Sequence, residues 1–177
     1  MTPNLEQLQG IISKFRECRL KAALGGSGLL YALGLTEVVH DWDLTTNEPL
    51  HEVMRCLNGF HVIEKRRVSE TFRSEYILVL PDEDVEIIGG YAIRCGRDTC
   101  HLPTIIGGSW REVPTASPEV WAVAYYLMGR LDKAELLFGY LQRAGVSRYA
   151  LEVLLEEPLP RNLRHRLDAI TVMGSCE

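Results

Sequence analysis

The stretch Leu24–Asn47, which reads LGGSGLLYALGLTEVVHDWDLTTN, combines a glycine-rich turn with a pair of acidic residues. The turn comprises residues 25–28 (GGSG) and precedes a short apolar helix. Asp41 and Asp43 follow on a predicted strand. Side chains at positions i and i+2 of a strand point to the same face, so the two carboxylates should lie roughly 6 to 7 Å apart along it. Trp42, between them, should pack on the opposite face.

Two carboxylates this close repel each other unless one is protonated or a cation bridges them. Mg²⁺ is a hard cation that suits carboxylate oxygens, and its usual companion is a triphosphate. The glycine turn supplies the complementary half of such a site, because glycines let the backbone approach a phosphate closely and free N–H groups at a helix start attract anions. The alternative is a pair of solvated surface acids. The apolar residues around the pair argue against it, since burying both acids without a partner would be costly.

A third acidic residue is expected to join the pair. Glu86 lies in the run 85–88 (VEII), an acid inside an otherwise apolar strand, and Asp84 on the same face is the second candidate. If that strand neighbours the aspartate strand, three carboxylates converge. The alternative for Glu86 is an exposed strand face. His40 could touch a metal shell, but alternation along the strand should turn it away from Asp41.

Length, composition and charge describe an ordinary globular chain. Its 177 residues favour one domain or a core with a small appendage, and 46% hydrophobic with 24% charged residues is typical of a protein that buries a core. The net charge of −5 argues against broad electrostatic binding to nucleic acid. The chain has no apolar run of about 18 residues, so no membrane span is expected, and its N-terminus lacks the form of a signal peptide.

The five cysteines are scattered and odd in number, which without a signal peptide predicts free thiols and a cytoplasmic location. They are Cys18, Cys56, Cys95, Cys100 and Cys176. The spacing Cys95-x4-Cys100-His101 invites a zinc interpretation, but it is not a standard zinc motif. Two cysteines that flank a hairpin turn are more often plain neighbours, which is the interpretation favoured here.

The apolar pattern predicts an α/β front, residues 1–115, followed by a helical region, residues 116–177. Strands are predicted at residues 21–24, 38–45, 60–63, 71–80, 85–88, 91–94 and 99–102, with a less regular stretch at 105–113. Helices are predicted at residues 4–19, 29–33, 49–56, 119–128, 132–144, 148–156 and 161–170. Ser117, followed by Pro118, is a strong helix-start signal.

The order of motifs resembles the nucleotidyltransferase superfamily, which has the DNA polymerase β-like fold. The shared pattern is a strand, a glycine-serine turn that opens a helix, an Asp-x-Asp strand and a later acidic strand. Here it reads Leu24-Gly25-Gly26-Ser27, then Asp41-Trp42-Asp43-Leu44, then Val85-Glu86-Ile87. The resemblance covers about residues 20 to 90, and the helical region is only loosely similar to small stand-alone members, including antibiotic-modifying and toxin-type ones. The first part also resembles the tRNA nucleotidyltransferases, but their Arg-Asp pair is absent, which argues against CCA addition.

The resemblance implies a fold, a cofactor and a reaction. The fold class would be α/β (α+β), with a mixed sheet flanked by helices and a C-terminal helical bundle packed on it. Asp41 and Asp43 would hold two Mg²⁺ ions, and Glu86 would share the second ion and help to activate the attacking hydroxyl. Gly25, Gly26 and Ser27 would form the turn that holds the β- and γ-phosphates. The reaction would be in-line attack of an acceptor hydroxyl on the α-phosphate of a nucleoside triphosphate, with release of pyrophosphate.

Basic residues should assist with the triphosphate, and Arg73 and Lys133 are the candidates. The alternative for each is an ordinary solvated charge, and Asp132 and Glu135 could form a surface ion pair with Lys133. The acceptor could be a small molecule such as an antibiotic, an RNA end or a protein side chain. The acidic net charge favours a cationic small molecule over RNA. A homodimer that completes the acceptor pocket is a further hypothesis.

Two rival interpretations remain. A non-catalytic module could keep the fold and bind a nucleotide or a partner protein without turnover. The run 41–45 (DWDLT) also matches the Asp-x-Asp-x-Thr start of haloacid dehalogenase-type phosphatases. That class also needs a late acidic pair, often Gly-Asp, and the chain contains no Gly-Asp, which argues against it.

Overall fold

The computed structural model describes residues 3–65 and 69–173. The helices are α1 (Leu5–Glu17), α2 (Gly26–Ala32), α3 (Leu50–Cys56), α4 (Pro118–Leu127), α5 (Leu131–Ala144), α6 (Arg148–Leu155) and α7 (Arg161–Met173). The strands are β1 (Ala23–Leu24), β2 (Trp42–Thr46), β3 (Ile63–Glu64), β4 (Tyr76–Leu80), β5 (Val85–Gly89), β6 (Ala92–Cys95), β7 (Asp98–His101), β8 (Ile106–Trp110) and β9 (Val113–Ala116). None of these helices is long and apolar enough to cross a membrane.

The main sheet is mixed, and the aspartate strand β2 lies at its centre. Within the described residues the strand order is β3-β4-β5-β2-β1-β9-β8, while β6 and β7 form a separate hairpin. β2 runs parallel to β5 and β1 runs parallel to β9, whereas the other neighbours are antiparallel. The predicted α/β class, with a mixed sheet, flanking helices and a helical C-terminal region, is confirmed.

Helices cover both faces of the sheet, and a separate hydrophobic core lies on each face. Trp42 and Leu44 point into a core shared with α1 and α3. The other face packs against α2 and the C-terminal helices in a second core that contains Leu30 and Trp121. Because side chains alternate along β2, Asp43 faces the side of the C-terminal helices. Trp42 therefore packs away from Asp43, as predicted.

Helix starts with a local capping signal were predictable. Asn4 caps α1, where its Oδ1 accepts a hydrogen bond from the Glu6 N–H at 2.8 Å. Ser117 caps α4, where its Oγ accepts from the Val120 N–H at 3.2 Å. Such caps satisfy backbone donors that have no partner inside the helix.

The prediction that strand 38–45 begins at residue 38 is wrong. β2 begins at Trp42, whose N–H donates to the Asp84 carbonyl at 2.9 Å where the pairing with β5 starts. β9 was not recognised as a strand of its own, because Pro114 weakens the strand signal. In the structure β9 lies between β1 and β8.

The predicted strand 71–80 also begins too early, since β4 begins at Tyr76. The chain before Tyr76 leaves the main sheet and pairs with the hairpin instead. The Arg73 N–H donates to the Ala92 carbonyl at 2.8 Å, and Phe72 forms an isolated bridge with Ile93.

The prediction that the cysteines are free is wrong for one pair. Cys18 and Cys56 form a disulfide with a Cα–Cα distance of 5.9 Å, which joins the end of α1 to the end of α3. Packing of both helices on one face of the sheet brings these residues together, and neither their number nor their spacing reveals it. Cys95 and Cys100 are free thiols, and Cys176 lies outside the described residues.

Candidate active site

Three carboxylates line one cleft of about 240 Å³ between the sheet and the C-terminal helices: Asp41, Asp43 and Glu86. Asp43 and Glu86 are direct neighbours in the register of the parallel strands β2 and β5. Asp41 immediately precedes β2 and is exposed, whereas Asp43 and Glu86 are half-buried. The predicted convergence on one cleft depends on this pairing, which the sequence alone could only propose. Asp84 does not line the cleft, so Glu86 is the third carboxylate there.

The glycine turn lies directly against Asp43, because β1 pairs with β2. The Gly25 N–H donates to the Asp43 carbonyl at 2.8 Å. Gly26 has a φ of +56°, in the left-handed region, and a β-carbon there would overlap the Asp43 carboxylate. Gly26 and Ser27 line the same cleft, and Ser27 is buried. Glycine is therefore required at residue 26 for both its backbone conformation and its missing side chain.

The surroundings of Asp43 disfavour its charged form. Burial, followed by the neighbouring charges of Asp41 and Glu86, raises the pKa of Asp43 to about 7, while Arg130 and Lys65 act in the opposite direction. A cation bound next to such a carboxyl group stabilises its ionised form and lowers its pKa. Arg130 and Lys65 thus do not fully offset the repulsion among the three carboxylates.

Lys65 is a site residue that the sequence analysis missed. Its Nζ forms an ion pair with a Glu86 carboxylate oxygen, and its N–H donates to the Ile77 carbonyl at 2.9 Å. Lys65 therefore follows β3 and reaches across β4 to β5. No local signal marks this lysine, because the contact arises only once three strands are placed side by side.

The acids fit the donor chemistry of Mg²⁺ but do not form a closed cage. Among the described residues, no three His, Cys, Asp or Glu side chains are arranged to hold a metal ion. Mg²⁺ commonly binds through one or two carboxylates together with water and substrate phosphates, rather than through an all-protein cage. Asp41 and Asp43, beside the glycine turn, match that pattern.

The opposite wall of the cleft carries two cations, Arg130 and Lys133, from the junction of α4 and α5. Neither forms a salt bridge with any of the described residues, and the Lys133 ammonium lies 5.4 Å from the Tyr125 ring centroid. The surface ion pair considered for Lys133 is therefore not formed within the described chain, where Glu135 pairs with Arg166 instead. Two unpaired cations facing three carboxylates suit a ligand that carries both phosphates and a metal ion.

The remaining wall is aromatic and apolar, and the sequence analysis missed it almost entirely. The cleft is lined there by Phe72, Ile77, Ile88, Tyr91, Trp121, Tyr125 and Met128. The Trp121 ring lies 5.3 Å from that of Tyr91 and 5.5 Å from that of Tyr125, centroid to centroid. Tyr91, Trp121 and Tyr125 are buried, so these rings form the packed base of the cleft, whereas Phe72 is partly exposed and could stack on a ring system.

Two other residues are placed differently from what the pattern suggested. The Arg73 guanidinium donates to the Ser69 carbonyl at 3.0 Å, and Arg73 is not among the residues that line the cleft. Its role at a triphosphate stays a prediction. His40 was expected to point away from Asp41, yet both line the cleft, because β2 begins only after them and strand alternation does not apply.

Solved structures that share the fold include a proposed nucleotidyltransferase and the antibiotic-resistance factor ANT(2″)-Ia. A protein from Thermotoga maritima proposed to be a nucleotidyltransferase is 26% identical with a TM-score of 0.57, covering 78% of this chain and 92% of that one. ANT(2″)-Ia in complex with adenylyl-2″-tobramycin is 13% identical with a TM-score of 0.55, covering 93% and 95%. A solution structure of the antibiotic-resistance factor ANT(2″)-Ia is 18% identical with a TM-score of 0.52, covering 94% of each chain. No protein-family model and no curated protein matches the sequence.

The fold and the arrangement of acids and glycines define the class. The chain is a small member of the nucleotidyltransferase superfamily. The predicted resemblance is confirmed at this level, and the phosphatase interpretation, which rested on residues 41–45 alone, gains no support from it.

Proposed function

We propose that this protein is a metal-dependent nucleotidyltransferase, which transfers a nucleoside monophosphate from a nucleoside triphosphate to a hydroxyl group. One observation carries the proposal: Asp41, Asp43 and Glu86 share a cleft with the glycine turn on one side and two unpaired cations on the other. Acids for a metal, a close backbone for phosphates and free cations for further phosphate charge are the parts this reaction needs.

In this proposal the glycine turn and the basic wall hold the triphosphate. Gly26 and Ser27, which line the cleft, contact the β- and γ-phosphates, and Gly25 anchors the start of the turn through its hydrogen bond to the Asp43 carbonyl. Lys133 and Arg130 neutralise phosphate charge from the facing wall. Phe72, the aromatic residue of the cleft lining that is partly exposed, is available for the nucleobase.

Asp41 and Asp43 would hold the Mg²⁺ ions, with Glu86 as the third carboxylate. Bound Mg²⁺ would supply charge stabilisation for the attacking and leaving oxygens of an in-line displacement. The raised pKa of Asp43 supports this assignment, because a divalent cation would stabilise the ionised form that burial and the charges of Asp41 and Glu86 disfavour.

The chain's own residues then orient the reaction and accept a proton. Glu86 accepts the proton of the acceptor hydroxyl as that oxygen forms a bond to the α-phosphorus and the bond to pyrophosphate breaks. The ion pair with Lys65 holds the Glu86 carboxylate in place beside Asp43. The cations on the facing wall offset the charge of the departing pyrophosphate.

A cationic small molecule with hydroxyl groups is the acceptor class that the charges favour. Exposed Asp41 and the net charge of −5 would attract such a molecule and repel RNA. ANT(2″)-Ia, which shares the fold, is named in complex with adenylyl-2″-tobramycin. An RNA end, a protein side chain or an acceptor pocket completed by a second copy of the chain are the alternatives.

The proposal is tested by turnover. Each of the four nucleoside triphosphates is incubated with Mg²⁺ and a panel of acceptors that includes an aminoglycoside, a lincosamide and short RNA, and acceptor-dependent release of pyrophosphate is measured. We expect release with at least one acceptor in wild type and none with Asp43→Asn. Triphosphate binding without transfer to any acceptor would favour the non-catalytic module instead.

A further inference from the structure

The glycine turn packs between helix α4 and the aspartate strand β2. A β-carbon on Gly25 would overlap the indole ring of Trp121, which belongs to α4. On its other side, the Gly25 N–H donates to the Asp43 carbonyl, and Gly26 abuts the Asp43 carboxylate. The indole therefore occupies the space that any larger residue at position 25 would need.

The indole is itself held firmly. Trp121 is 3% exposed and packs against Tyr91 and Tyr125. The start of α4 is tied to α6 by Glu119, which is buried and accepts hydrogen bonds of 2.6 Å from both the Ser117 hydroxyl and the Ser147 N–H. A packed chain of contacts thus runs from the C-terminal helices through Trp121 to the turn.

We infer that Trp121 is a positioning residue, which fixes the glycine turn against Asp43 so that the turn backbone and the acids hold one ligand together. The inference rests on the proposed function, in which that turn binds the triphosphate. It gives the C-terminal helices a part in nucleotide binding beyond the cations they contribute. Trp121 acts through Gly25 and not through the metal or the reacting atoms.

The contact is tested first by a double-mutant cycle that needs no nucleotide. Gly25→Ala is compared in the wild type and in a Trp121→Leu background by urea unfolding. We expect Gly25→Ala to lower the unfolding midpoint clearly in the wild type and much less once the indole is gone. If Gly25→Ala lowers the unfolding midpoint equally in both backgrounds, the Trp121 indole does not limit residue 25, and the inference is overturned.

The positioning role is tested by Trp121→Phe, with Trp110→Phe as the matched control. Trp110 is an aromatic residue outside the cleft that packs against Tyr31 and Trp42. We expect Trp121→Phe to remain folded, to speed hydrogen exchange at the Gly25 amide, and to raise the Kd for Mg²⁺ with a triphosphate by about tenfold or more, since small misplacements of binding groups are costly. Trp110→Phe should change neither the exchange rate nor the Kd.

The outcomes separate the two proposals. Equal Kd values and equal Gly25 amide exchange for wild type and Trp121→Phe would overturn the inference and leave the proposed function standing. Absence of triphosphate binding by the wild type would count against the proposed function, while the cycle and the amide exchange would still decide whether Trp121 positions the turn.

Discussion

Asp43 is the residue on which stability and function make opposite demands. Burial and two neighbouring carboxylates raise its pKa to about 7 in the folded, metal-free protein, whereas its ordinary value is 3.8. The folded state therefore binds a proton that the unfolded state has already lost between these pH values. Stability that could be gained by a neutral side chain is given up for a charge that the proposed reaction needs.

This pKa predicts a pH dependence of unfolding. Because the folded state holds the proton more tightly, the free energy of unfolding of the metal-free protein should fall as the pH rises from about 4 to about 7 and should then level off. Asp43→Asn should remove most of this slope and stabilise the protein at pH 8 by roughly 2 to 4 kcal/mol. Urea unfolding at pH 5 and pH 8 in a chelator measures both effects.

Asp84→Asn is the matched control for that experiment. Asp84 lies outside the cleft with a φ of +54°, a conformation that asparagine tolerates well. It should leave the pH slope unchanged. A slope that survives Asp43→Asn, or that Asp84→Asn removes, would contradict the assignment to Asp43.

At the scale of elements, the junction of α4 and α5 supplies the basic wall. Lys133→Met should weaken the binding of a triphosphate with Mg²⁺ by about tenfold, which corresponds to about 1.4 kcal/mol, because an unpaired cation facing the cleft is lost. Isothermal titration calorimetry at low salt measures the change. Arg143→Met is the control, since Arg143 is an exposed cation on the same helix outside the cleft. Equal losses for both variants would mean that Lys133 acts only through net charge.

The disulfide ties α1 to α3 on the face of the sheet that is remote from the cleft. Cys18 and Cys56 are 38 residues apart in sequence. Closing a loop of this length restricts the unfolded chain by about 4 kcal/mol in the chain-entropy model. Reduction, or Cys18→Ser with Cys56→Ser, should therefore lower the unfolding free energy by a similar amount and leave triphosphate affinity unchanged.

Urea unfolding with and without a reductant checks this prediction, and Cys95→Ser serves as the control because Cys95 is a free thiol. The control should keep the full response to the reductant. A wild type whose unfolding is insensitive to the reductant would show that the two cysteines are not paired in solution.

Across the whole molecule, the sequence predicted those features that depend on residues close together in the chain. The glycine turn, the spacing of Asp41 and Asp43, and the start of α4 each depend on neighbours in the chain. Lys65 and Trp121 could not be found in this way, because their contacts join segments separated by 21 residues in one case and by nearly a hundred in the other. The disulfide was missed for the same reason.

The central claim is that the two aspartates and the glycine turn form one site for Mg²⁺ and a nucleoside triphosphate. The most direct measurement is a binding titration of the four triphosphates, with and without Mg²⁺, on wild type and on the double variant Asp41→Asn/Asp43→Asn. The account predicts Mg²⁺-dependent binding of at least one triphosphate, which the double variant loses while it remains folded. Binding that is independent of Mg²⁺, or that survives in the double variant, would contradict the claim.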